Sequence, residues 1–578
     1  MSVAFTGVTS RRHPCAFRHA FARVGAVGAR EAGDVLRRRL ALLLSRLRGE
    51  DLACALRWRL APVLNVGEER WCIAGGAVAR REAARRGWRI LREVPPEVFL
   101  DALVAAHGRR LAERAVSRLA GEHPHLSAAT RLAPGQGRVV RTLVPALFLF
   151  AGVMPLSAAL LLFVPALFFL LLAALRLLAV LHAPLRPTPA RLSDADLPHY
   201  TVLVPVYRET GVIDQLLAAL AALDYPEEKR DIKILVEETD HAMRMALVRR
   251  ALPAGCEVLV VPRGVPRTKP RALDYGLAFA RGALLCIYDA EDIPAPDQLR
   301  RAAAAFAAAS PRVACLQAAL GWYNAEENWL TRMIALDYAG HFEVILPYLA
   351  RMGWPLPLGG TSNHFRTAAL RAVGAWDPFN VTEDADLGLR LARFGWRSGV
   401  LASRTGEEAC VHLRDWIAQR SRWIKGWLQT WLVHLRTHRD YARRTGAGGL
   451  LVLHAVIGAG VFAALAHPFF LLWTLWNVLW PGSTAPLLGH SVVTALCVLV
   501  LVAGHFSAMA LAAVGLHRRD QLHLWPWLFT LPLYWLLISA AAWLALWDFL
   551  VRPHHWRKTP HGLSRRRRAR GAKGAGAT

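Results

Sequence analysis

The chain has 578 residues, which is enough for several domains with a sizeable core. Apolar residues make up 54% of the sequence, and the formal net charge is +28. Long apolar runs accompany this charge and no nucleic-acid-binding motif does, so a nucleic-acid binder is the least supported class and a membrane protein is favoured. The eight cysteines show no CxxC spacing, which is typical of reduced thiols in the cytosol.

The first predicted section, residues 1–138, is basic and helical in pattern. Apolar residues recur at helical spacing from Val98 to Leu119. The arginine-studded stretch Met1–Ala41 has no early apolar segment, so no signal peptide is expected. We therefore predict a small, mainly helical N-terminal domain.

Apolar runs flank the middle of the chain. Thr142–Leu175 contains no charged residue and is too long for one span of about 20 residues, so residues 139–182 are predicted to form a transmembrane hairpin of two spans. Residues 441–552 are predicted to form a second transmembrane region. It contains three apolar blocks, Leu450–Trp480, Ser491–Leu516 and Leu524–Val551.

The last section, residues 553–578, is a basic tail that we expect on the cytoplasmic side. If the middle of the chain is cytoplasmic too, an even number of spans separates it from this tail. Leu450–Trp480, interrupted by Pro468, is then predicted to contain two spans, which gives three to four in the C-terminal region. The prediction is a multi-pass protein of the inner (cytoplasmic) membrane with both termini in the cytoplasm.

The middle section, residues 183–440, alternates strand and helix signals, as in Tyr200–Val206, Val212–Ala222 and Ile232–Val236. This alternation predicts a parallel sheet covered on both faces. Polar and acidic residues follow three of the strands, and ligands bind beyond the carboxyl ends of parallel strands. For any one acidic cluster alone, a solvated loop or helix cap is the better interpretation; their recurrence at strand ends favours a site.

Asp289 and Glu291 follow one of these strands. Because alternate residues of an extended segment share a face, the two carboxylates lie on one side. Oxygen ligands at this spacing suit Mg²⁺ or Mn²⁺ holding a diphosphate. The spacing alone is a weak signal.

Six segments of the middle section occur in a distinctive order: PVYRE, VEETD, RTKPRALDYG, DAED, TEDADLGLRL and QRSRW. In this order, over roughly residues 195–440, they resemble a family 2 glycosyltransferase of the cellulose-synthase-like membrane type. The resemblance implies a GT-A fold, an α/β nucleotide-sugar-binding domain with a mostly parallel sheet inserted between transmembrane helices. TED followed by QxxRW is the specific combination.

The resemblance also implies a function. The chain would be an inverting hexosyltransferase that moves a sugar from a UDP-sugar, or a similar nucleotide sugar, to a growing polysaccharide, processively and coupled to export. The alternatives are a single-addition transferase acting on a lipid-linked acceptor and a non-catalytic membrane scaffold. The implied partners are the donor, the glycan or lipid-linked acceptor and the lipid bilayer, with no nucleic acid.

Carried over by position, the resemblance implies roles for individual residues. Asp384 would be the general base that deprotonates the acceptor hydroxyl. Donor binding would fall to Glu238, Lys269 and Asp289. Asp289 and Glu291 would hold Mg²⁺ or Mn²⁺. The acceptor end and the diphosphate would be bound by Gln419, Arg422 and Trp423.

Two positions depart from the common pattern. Glu291 stands where Asp is usual, so Asp292 is an alternative metal ligand. The early acidic pair is Glu237-Glu238 in place of two aspartates, which leaves open which of them contacts the nucleoside.

Four tryptophans near QRSRW lie on one face of a predicted helix: Trp416, Trp423, Trp427 and Trp431. Tryptophan favours the membrane–water interface, so we predict an interfacial helix. A core helix is the alternative.

Residues 70–138 resemble, in degenerate form, the N-terminal domain of type II secretion ATPases. That resemblance implies a cyclic dinucleotide or an export-machinery component as a partner. A helical cap docked on the transferase is the favoured alternative.

Overall fold

The computed structural model describes residues 29–139, 141–142, 155–185, 190–480 and 490–552. The chain divides into two compact units, residues 1–110 and 111–578. Residues 1–28, the basic tail 553–578 and much of the first predicted span, residues 143–154, lie outside the described residues.

The first unit combines helices with a small sheet. In it β1 pairs with β2 in antiparallel fashion and β2 pairs with β3 in parallel fashion. Its elements are α1 (Ala29–Leu44), α2 (Gly49–Trp58), β1 (Leu60–Val66), β2 (Glu69–Gly75), α3 (Gly76–Arg85), β3 (Arg89–Val94) and the start of α4 (Pro96–Glu122).

Helices dominate this unit, as predicted, but the three strands were not anticipated. They are short, and charged residues such as Arg70, Arg89 and Arg92 interrupt any apolar alternation. The likeness of residues 70–138 to a secretion-ATPase domain stays a prediction.

The second unit is built on an eight-stranded mixed sheet. Its strand order is β6-β5-β4-β7-β10-β9-β11-β8. The strands are β4 (Tyr200–Val206), β5 (Arg230–Glu237), β6 (Cys256–Val261), β7 (Leu284–Ile287), β8 (Ile293–Pro294), β9 (Val313–Trp322), β10 (Asn363–Arg366) and β11 (Arg397–Glu407).

The first four strands of the order are mutually parallel, which confirms the α/β prediction for this half of the sheet. β10 runs antiparallel to both β7 and β9, and β8 runs antiparallel to β11. Every residue of β5 is buried, as expected for a strand covered on both faces. The carboxyl ends of β4, β5 and β7 therefore meet at one edge, where the acidic clusters lie.

Helices cover this sheet and continue into the apolar part of the chain. They are α5 (Pro155–His182), α6 (Ile213–Ala221), α7 (His241–Val248), α8 (Lys269–Leu277), α9 (Gln298–Ala308), α10 (Trp329–Gly340), α11 (Leu346–Arg351), α12 (Thr367–Ala372), α13 (Glu383–Arg393), α14 (Leu413–Leu435), α15 (His438–Leu451), α16 (Ala459–Leu479), α17 (His490–Arg518) and α18 (Leu531–Val551).

A buried ionic network anchors α13 beneath the site. Arg390 pairs with Asp386 one turn earlier, at 2.9 Å between Nη2 and Oδ2, and both side chains are fully buried. Arg390 Nη1 also donates to the carbonyls of Val373 and Ala375, and His434 of α14 contacts the other oxygen of Asp386. The network ties α13 to α14.

We expect Arg390→Met to destabilise the protein by about 3–5 kcal/mol, because the substitution leaves the Asp386 carboxylate buried with its main cation removed. Thermal unfolding of the purified protein in detergent measures the effect. The matched control is Arg444→Met, which removes an exposed i,i+4 pair with Asp440 and should cost less than about 1 kcal/mol. Equal losses in the two variants would contradict a stabilising role for the network.

The segment that follows α4 packs on the sheet domain within the second unit. Ser127 Oγ and the amide of Ala128 both donate to the buried carboxylate of Asp377, at 3.1 and 2.6 Å. Arg436, just after α14, donates to the carbonyl of Ser127 at 2.7 Å. This strap joins the loop before α13 to the end of α14.

Four helical runs of the described residues are long and apolar enough to cross a membrane: Phe163–His182, His438–Leu479, Val492–Arg518 and Leu522–Val551. The prediction that Leu450–Trp480 contains two spans is wrong. Pro468 lies inside the continuous helix α16, because a proline within a long apolar helix is tolerated without a chain reversal.

The last apolar helix, α18, contacts α14 near both of its ends. Near its start, the ring of Tyr534 lies 5.2 Å from that of Trp416. At its other end, Lys425 Nζ lies 3.5 Å from the carbonyl oxygen of Arg552. This helix therefore lies along α14, which belongs to the sheet domain.

The tryptophan face of α14 packs against the apolar helices. Trp416 is fully buried, the ring of Trp431 lies 5.3 Å from that of Phe462, and Trp427 packs over Gly460 of α16. The face is thus a packing surface between the sheet domain and the apolar helices, which agrees with the core alternative for Trp416. Placement of α14 at a membrane interface stays a prediction.

Candidate active site

A cavity of about 460 Å³ opens at the carboxyl edge of β4, β5 and β7. Most of the residues singled out in the sequence line it, whereas Glu238 does not. Those that do are Lys269, Asp289, Glu291, Asp384, Gln419, Arg422 and Trp423. Residues as far apart in the sequence as Lys269 and Trp423 thus meet in one space.

Lys269 is at the centre of the polar part of this cavity. Its Nζ lies 2.5 Å from Asp289 Oδ1 and donates to the carbonyl of Gly360 at 2.7 Å. A methyl group placed on Gly360 would lie 3.4 Å from Asp384 Oδ2 and 3.9 Å from the same Nζ. The loop Gly359-Gly360 therefore brings the DAED and TED segments close together without a side chain between them.

Glu291 and Asp292, the two candidates for the carboxylate that binds a metal together with Asp289, occupy different positions. Glu291 lines the cavity, but Asp292 does not. Asp292 Oδ2 instead accepts hydrogen bonds from the Asp289 amide and from Thr361 Oγ1. Asp292 thus holds the loop that presents Asp289, whereas Glu291 faces the cavity together with Asp289; the metal-binding roles stay a prediction.

Glu237 and Glu238, the early acidic pair, occupy different environments in the structure. Glu237 lines the cavity and is gripped by the buried Arg271, whose Nη1 lies 3.0 and 3.1 Å from its two carboxylate oxygens. Burial raises the pKa of Glu237, and Arg271 opposes that effect. Glu238 is 44% exposed and accepts from the Arg263 amide at 3.0 Å, outside the cavity lining.

The TED loop is fastened by α14, the helix that carries QRSRW. Asn380 donates to Thr430 Oγ1 at 2.9 Å, and the Val381 amide donates to Gln429 at 3.2 Å. Gly426 of α14 packs so closely on Thr382 that an added Cβ would lie 2.8 Å from the Thr382 Cβ. The proposed base and the proposed diphosphate-binding arginine are therefore positioned by one helix.

We expect Gly426→Ala to lower the rate of sugar transfer by about 100-fold, because the methyl group displaces Thr382 and the carboxylate two residues later. Overpacking should also cost about 1–3 kcal/mol of stability. Gly121→Ala, at an α4 position with open space around it, is the control and should leave both properties unchanged. A Gly426→Ala protein with normal turnover would show that the close approach is not needed.

Two further acids, Glu407 and Glu408, line the cavity and were not predicted. Glu407 is the last residue of β11 and Glu408 follows it, next to the two residues of β11 that pair with β8 after the DAED turn. Burial raises the pKa of Glu407, with Asp292 and Glu291 adding to the effect. The only sequence signal is another acidic pair at a strand end, and it lies outside the motifs that carry the resemblance.

Burial sets the protonation behaviour of the site. It raises the pKa of Glu291 to about 8, with help from the charge of Asp289, and that of Glu383 to about 8, with help from Asp384. It raises the pKa of Asp384 to about 6. Of the two TED carboxylates, burial thus raises the pKa of Glu383 more than that of Asp384.

The carboxylates Asp289 and Glu291 suit a divalent cation that also binds a diphosphate. Among the described residues no group of three or more Asp, Glu, His or Cys side chains converges as a closed metal site. Mg²⁺ characteristically uses one or two carboxylates together with substrate phosphates, which matches Asp289 and Glu291 facing an open cavity.

The cavity continues away from the sheet into the apolar helices. Phe169 of α5, Val461 and Ala464 of α16 and Ile538 of α18 line this part. The π-helical turn His341–Ile345, between α10 and α11, lies at the transition and contributes His341 and Phe342. One space thus connects the acidic edge of the sheet with the interior of the helix bundle.

Comparison with known proteins decides the family of this domain. Residues 198–426 match the family described as glycosyltransferase like family 2. The chain contains a family 2 glycosyltransferase domain. This establishes the GT-A-like fold with its mixed sheet.

Relatives of this glycosyltransferase domain act on different acceptors by name. The chain is 30% identical over 276 residues to a beta-monoglucosyldiacylglycerol synthase from Synechocystis sp., covering 46% of this chain and 55% of the relative. It is 26% identical over 254 residues to glucomannan 4-beta-mannosyltransferase 2 from Arabidopsis thaliana, covering 41% and 45%. The chain thus spans about half the length of the curated relatives it matches.

One solved structure is a mannosyltransferase from Pyrobaculum calidifontis in complex with GDP-Man and Mn²⁺. Its sequence identity is 18%, the TM-score is 0.40, and the match covers 67% of this chain and 99% of that one.

Proposed function

We propose that the protein is an inverting, metal-dependent glycosyltransferase of a membrane, using a nucleotide sugar as donor. The observation that carries the proposal is the cavity. It collects Asp289, Glu291, Asp384 and Arg422 at a sheet edge and continues between apolar helices. Such a space suits a polar donor at one end and an acceptor that enters from the membrane at the other.

In the proposed reaction the donor diphosphate lies beside Lys269 and Arg422. A Mg²⁺ or Mn²⁺ ion held by Asp289 and Glu291 would neutralise charge on the departing nucleoside diphosphate. The Arg422 guanidinium matches phosphate oxygens and strengthens its contacts as charge develops. Asp384 takes the proton from the acceptor hydroxyl as that oxygen attacks the anomeric carbon from the face opposite the diphosphate.

The nucleoside end of the donor is assigned to Glu237 or Glu238. Glu238 is the residue for which the resemblance implies donor binding, and its exposure leaves its carboxylate accessible to the nucleobase of the donor. Glu237 lines the cavity but is already engaged by Arg271. Glu237 therefore shapes the floor of the donor pocket, and Glu238 is the acid available for a direct contact with the nucleoside.

We further propose that two of the apolar runs cross the membrane after the domain. Helix α18 contacts α14 near both of its ends, so we assign it to the side of the sheet domain. The run His438–Leu479 then crosses the membrane, and helix α17 crosses it in the opposite direction. Arg518 and Arg519 at the end of α17 support the return: Arg519 Nη2 donates to the carbonyl of Leu320 in β9 at 2.6 Å. An even count places the basic tail on the same side as the domain, in the cytoplasm where nucleotide sugars are made.

Two acceptor classes fit this arrangement, a growing polysaccharide and a lipid. The names of the relatives include both, a glucosyldiacylglycerol synthase and glucomannan mannosyltransferases. QxxRW and the flanking apolar helices favour a processive synthase that exports its product; single addition to a lipid-linked acceptor is the second candidate.

The deciding experiment supplies purified protein with radiolabelled UDP- and GDP-sugars and Mg²⁺ in the presence of membrane lipids. Labelled product is then separated by size. Chains of many sugars support the processive synthase, and a product that stays at one added sugar contradicts it.

Removal of the metal tests the role given to Asp289 and Glu291. We expect EDTA to reduce transfer at least about 100-fold and Mg²⁺ or Mn²⁺ to restore it, since the cation stabilises the leaving diphosphate. The control is the same transfer assay in the same buffer, with EDTA that was saturated with Mg²⁺ before the protein was added. Full activity in EDTA would contradict metal dependence.

A further inference from the structure

Charged side chains line both ends of the cavity. At its sheet end the cations Arg267, Lys269 and Arg422 are accompanied by eight carboxylates: Glu209, Glu237, Asp289, Glu291, Glu383, Asp384, Glu407 and Glu408. Its helix-bundle end is lined by Arg176, Arg420 and His467, with Asp337 as the carboxylate there. A neutral acceptor would give no reason for cations at that end.

Arg420 and Asp337 form a salt bridge. Arg420 Nη1 lies 2.9 Å from Asp337 Oδ2, and its guanidinium stacks 4.7 Å from the ring centre of Trp423. Arg176 is different. It projects from the apolar helix α5 and forms no salt bridge within 4 Å among the described residues, so Asp337, which also pairs with Arg420, acts on it only from a distance; its guanidinium lies 5.4 Å over the ring of Trp535.

Trp535 gathers further polar groups within the helix bundle. His467 of α16 lies 5.6 Å from its ring centre, and His505 of α17 lies 4.8 Å from it. Both ring nitrogens of His467 are buried and have no hydrogen-bond partner in the described part of the chain. Ionisable and unpaired polar groups inside a membrane domain are costly, and they are typically kept for a ligand.

The depth of Arg176 indicates what the ligand is. Arg176 precedes the end of α5 at His182 by six residues, about 9 Å along the helix axis. Apolar residues such as Leu172 and Ala463 line the cavity together with this guanidinium, as an acyl chain beside an anionic headgroup would require. An arginine fork matches phosphate oxygens in particular.

We propose that the helix-bundle end of the cavity, around Arg176, His467 and Trp535, binds the phosphate group of an anionic lipid acceptor. This deepens the proposed function and rests on it, because the lipid's reacting hydroxyl or attached sugar would reach Asp384 through the same cavity. Of the two acceptor classes proposed above, it favours the second candidate, the lipid-linked acceptor, over the growing polysaccharide. It also excludes a neutral diacylglycerol as the best-bound acceptor.

The test measures binding without donor, so that it stands apart from catalysis. Full-length protein in detergent is equilibrated with radiolabelled farnesyl phosphate, and farnesol, inorganic phosphate and a tetramer of hexuronate serve as competitors. We expect farnesol to compete at least about tenfold more weakly than unlabelled farnesyl phosphate, and the other two not to compete. Equal competition by farnesol overturns the proposal. Displacement by inorganic phosphate or by the hexuronate tetramer at comparable concentration overturns the assignment to a lipid.

Variants locate the site. Arg176→Gln should remove the preference for the phosphate, Arg176→Lys should keep part of it, and Leu178→Ala, on the exposed face of the same helix, should leave it unchanged. A preference that survives Arg176→Gln overturns the proposal. If Arg176→Gln fails to fold, Arg176→Lys and the competition in the wild-type protein still decide. Phosphate-dependent binding without any sugar transfer would support this site and contradict the proposed function.

Discussion

Asp384→Asn is expected to lower the rate of sugar transfer by about 10²–10⁴-fold, the range that general-base catalysis contributes. The asparagine keeps the size of the side chain and still accepts the hydrogen bond that the Ala385 amide donates at 2.7 Å. It cannot take the proton of the acceptor hydroxyl. The substitution therefore separates the chemistry of this position from its structural role.

The measurement is a single-turnover transfer assay with donor and acceptor saturating, accompanied by thermal unfolding of each variant. Asp194→Asn, at a carboxylate that is 68% exposed and far from TED in the sequence, is the control and should retain full activity. A normal rate in the Asp384→Asn protein would rule out the base assignment.

Arg422→Met should lower kcat by about 10²–10³-fold, which is the usual effect of removing one preorganised donor to a developing negative charge. Glu383, Asp289 and Asp384 lie near enough to oppose the lowering of the Arg422 pKa that burial causes. The guanidinium thus stays charged in a water-poor cavity, where its interaction with a diphosphate is strong.

Arg422→Lys should recover only part of the rate, because an ammonium group does not reproduce the two-pronged contact of a guanidinium. Arg414→Met removes an exposed arginine from the same helix and serves as the control. If Arg422→Met and Arg414→Met have the same kcat, the diphosphate is held elsewhere, with Lys269 and Arg267 as the other cations at the sheet end of the cavity.

Much of the sheet domain follows from local sequence patterns. Tyr200–Val206 and Ile232–Val236 are apolar runs, each interrupted by one polar residue, Thr201 and Lys233, and both lie in inner parallel strands of the structure. β10 is different: Asn363–Arg366 is short and polar, and its antiparallel insertion between β7 and β9 depends on contacts with residues far away in the sequence.

The site shows the same division. Asp289, Glu291 and Asp384 are found from spacing and resemblance, and the structure places them in one cavity. Glu407 and Glu408 belong to no motif, and only the pairing of β11 with β8 brings them to the DAED turn. Charges inside apolar helices, such as Arg176, are visible in the sequence, but their common orientation around Trp535 depends on how the helices pack.

The apolar helices show where counting fails. An even number of spans is predicted only if each apolar block crosses the membrane once or is divided into two spans by proline. In the structure Pro468 leaves α16 continuous, and Leu531–Val551, part of a run long and apolar enough to span a membrane, also packs against α14. Hydropathy measures how apolar a segment is. It does not distinguish a membrane span from an apolar helix that packs along the sheet domain.

The most direct test of the account is the release of nucleoside diphosphate from a panel of UDP- and GDP-sugars, measured with the purified wild-type protein and with Asp384→Asn in lipid nanodiscs containing Mg²⁺. The account predicts that at least one donor is consumed by the wild-type protein, that its labelled sugar appears in a lipid or polymer fraction, and that the variant transfers at least about 100-fold more slowly. Transfer at equal rates by the two proteins, or no consumption of any donor by folded wild-type protein, would contradict it.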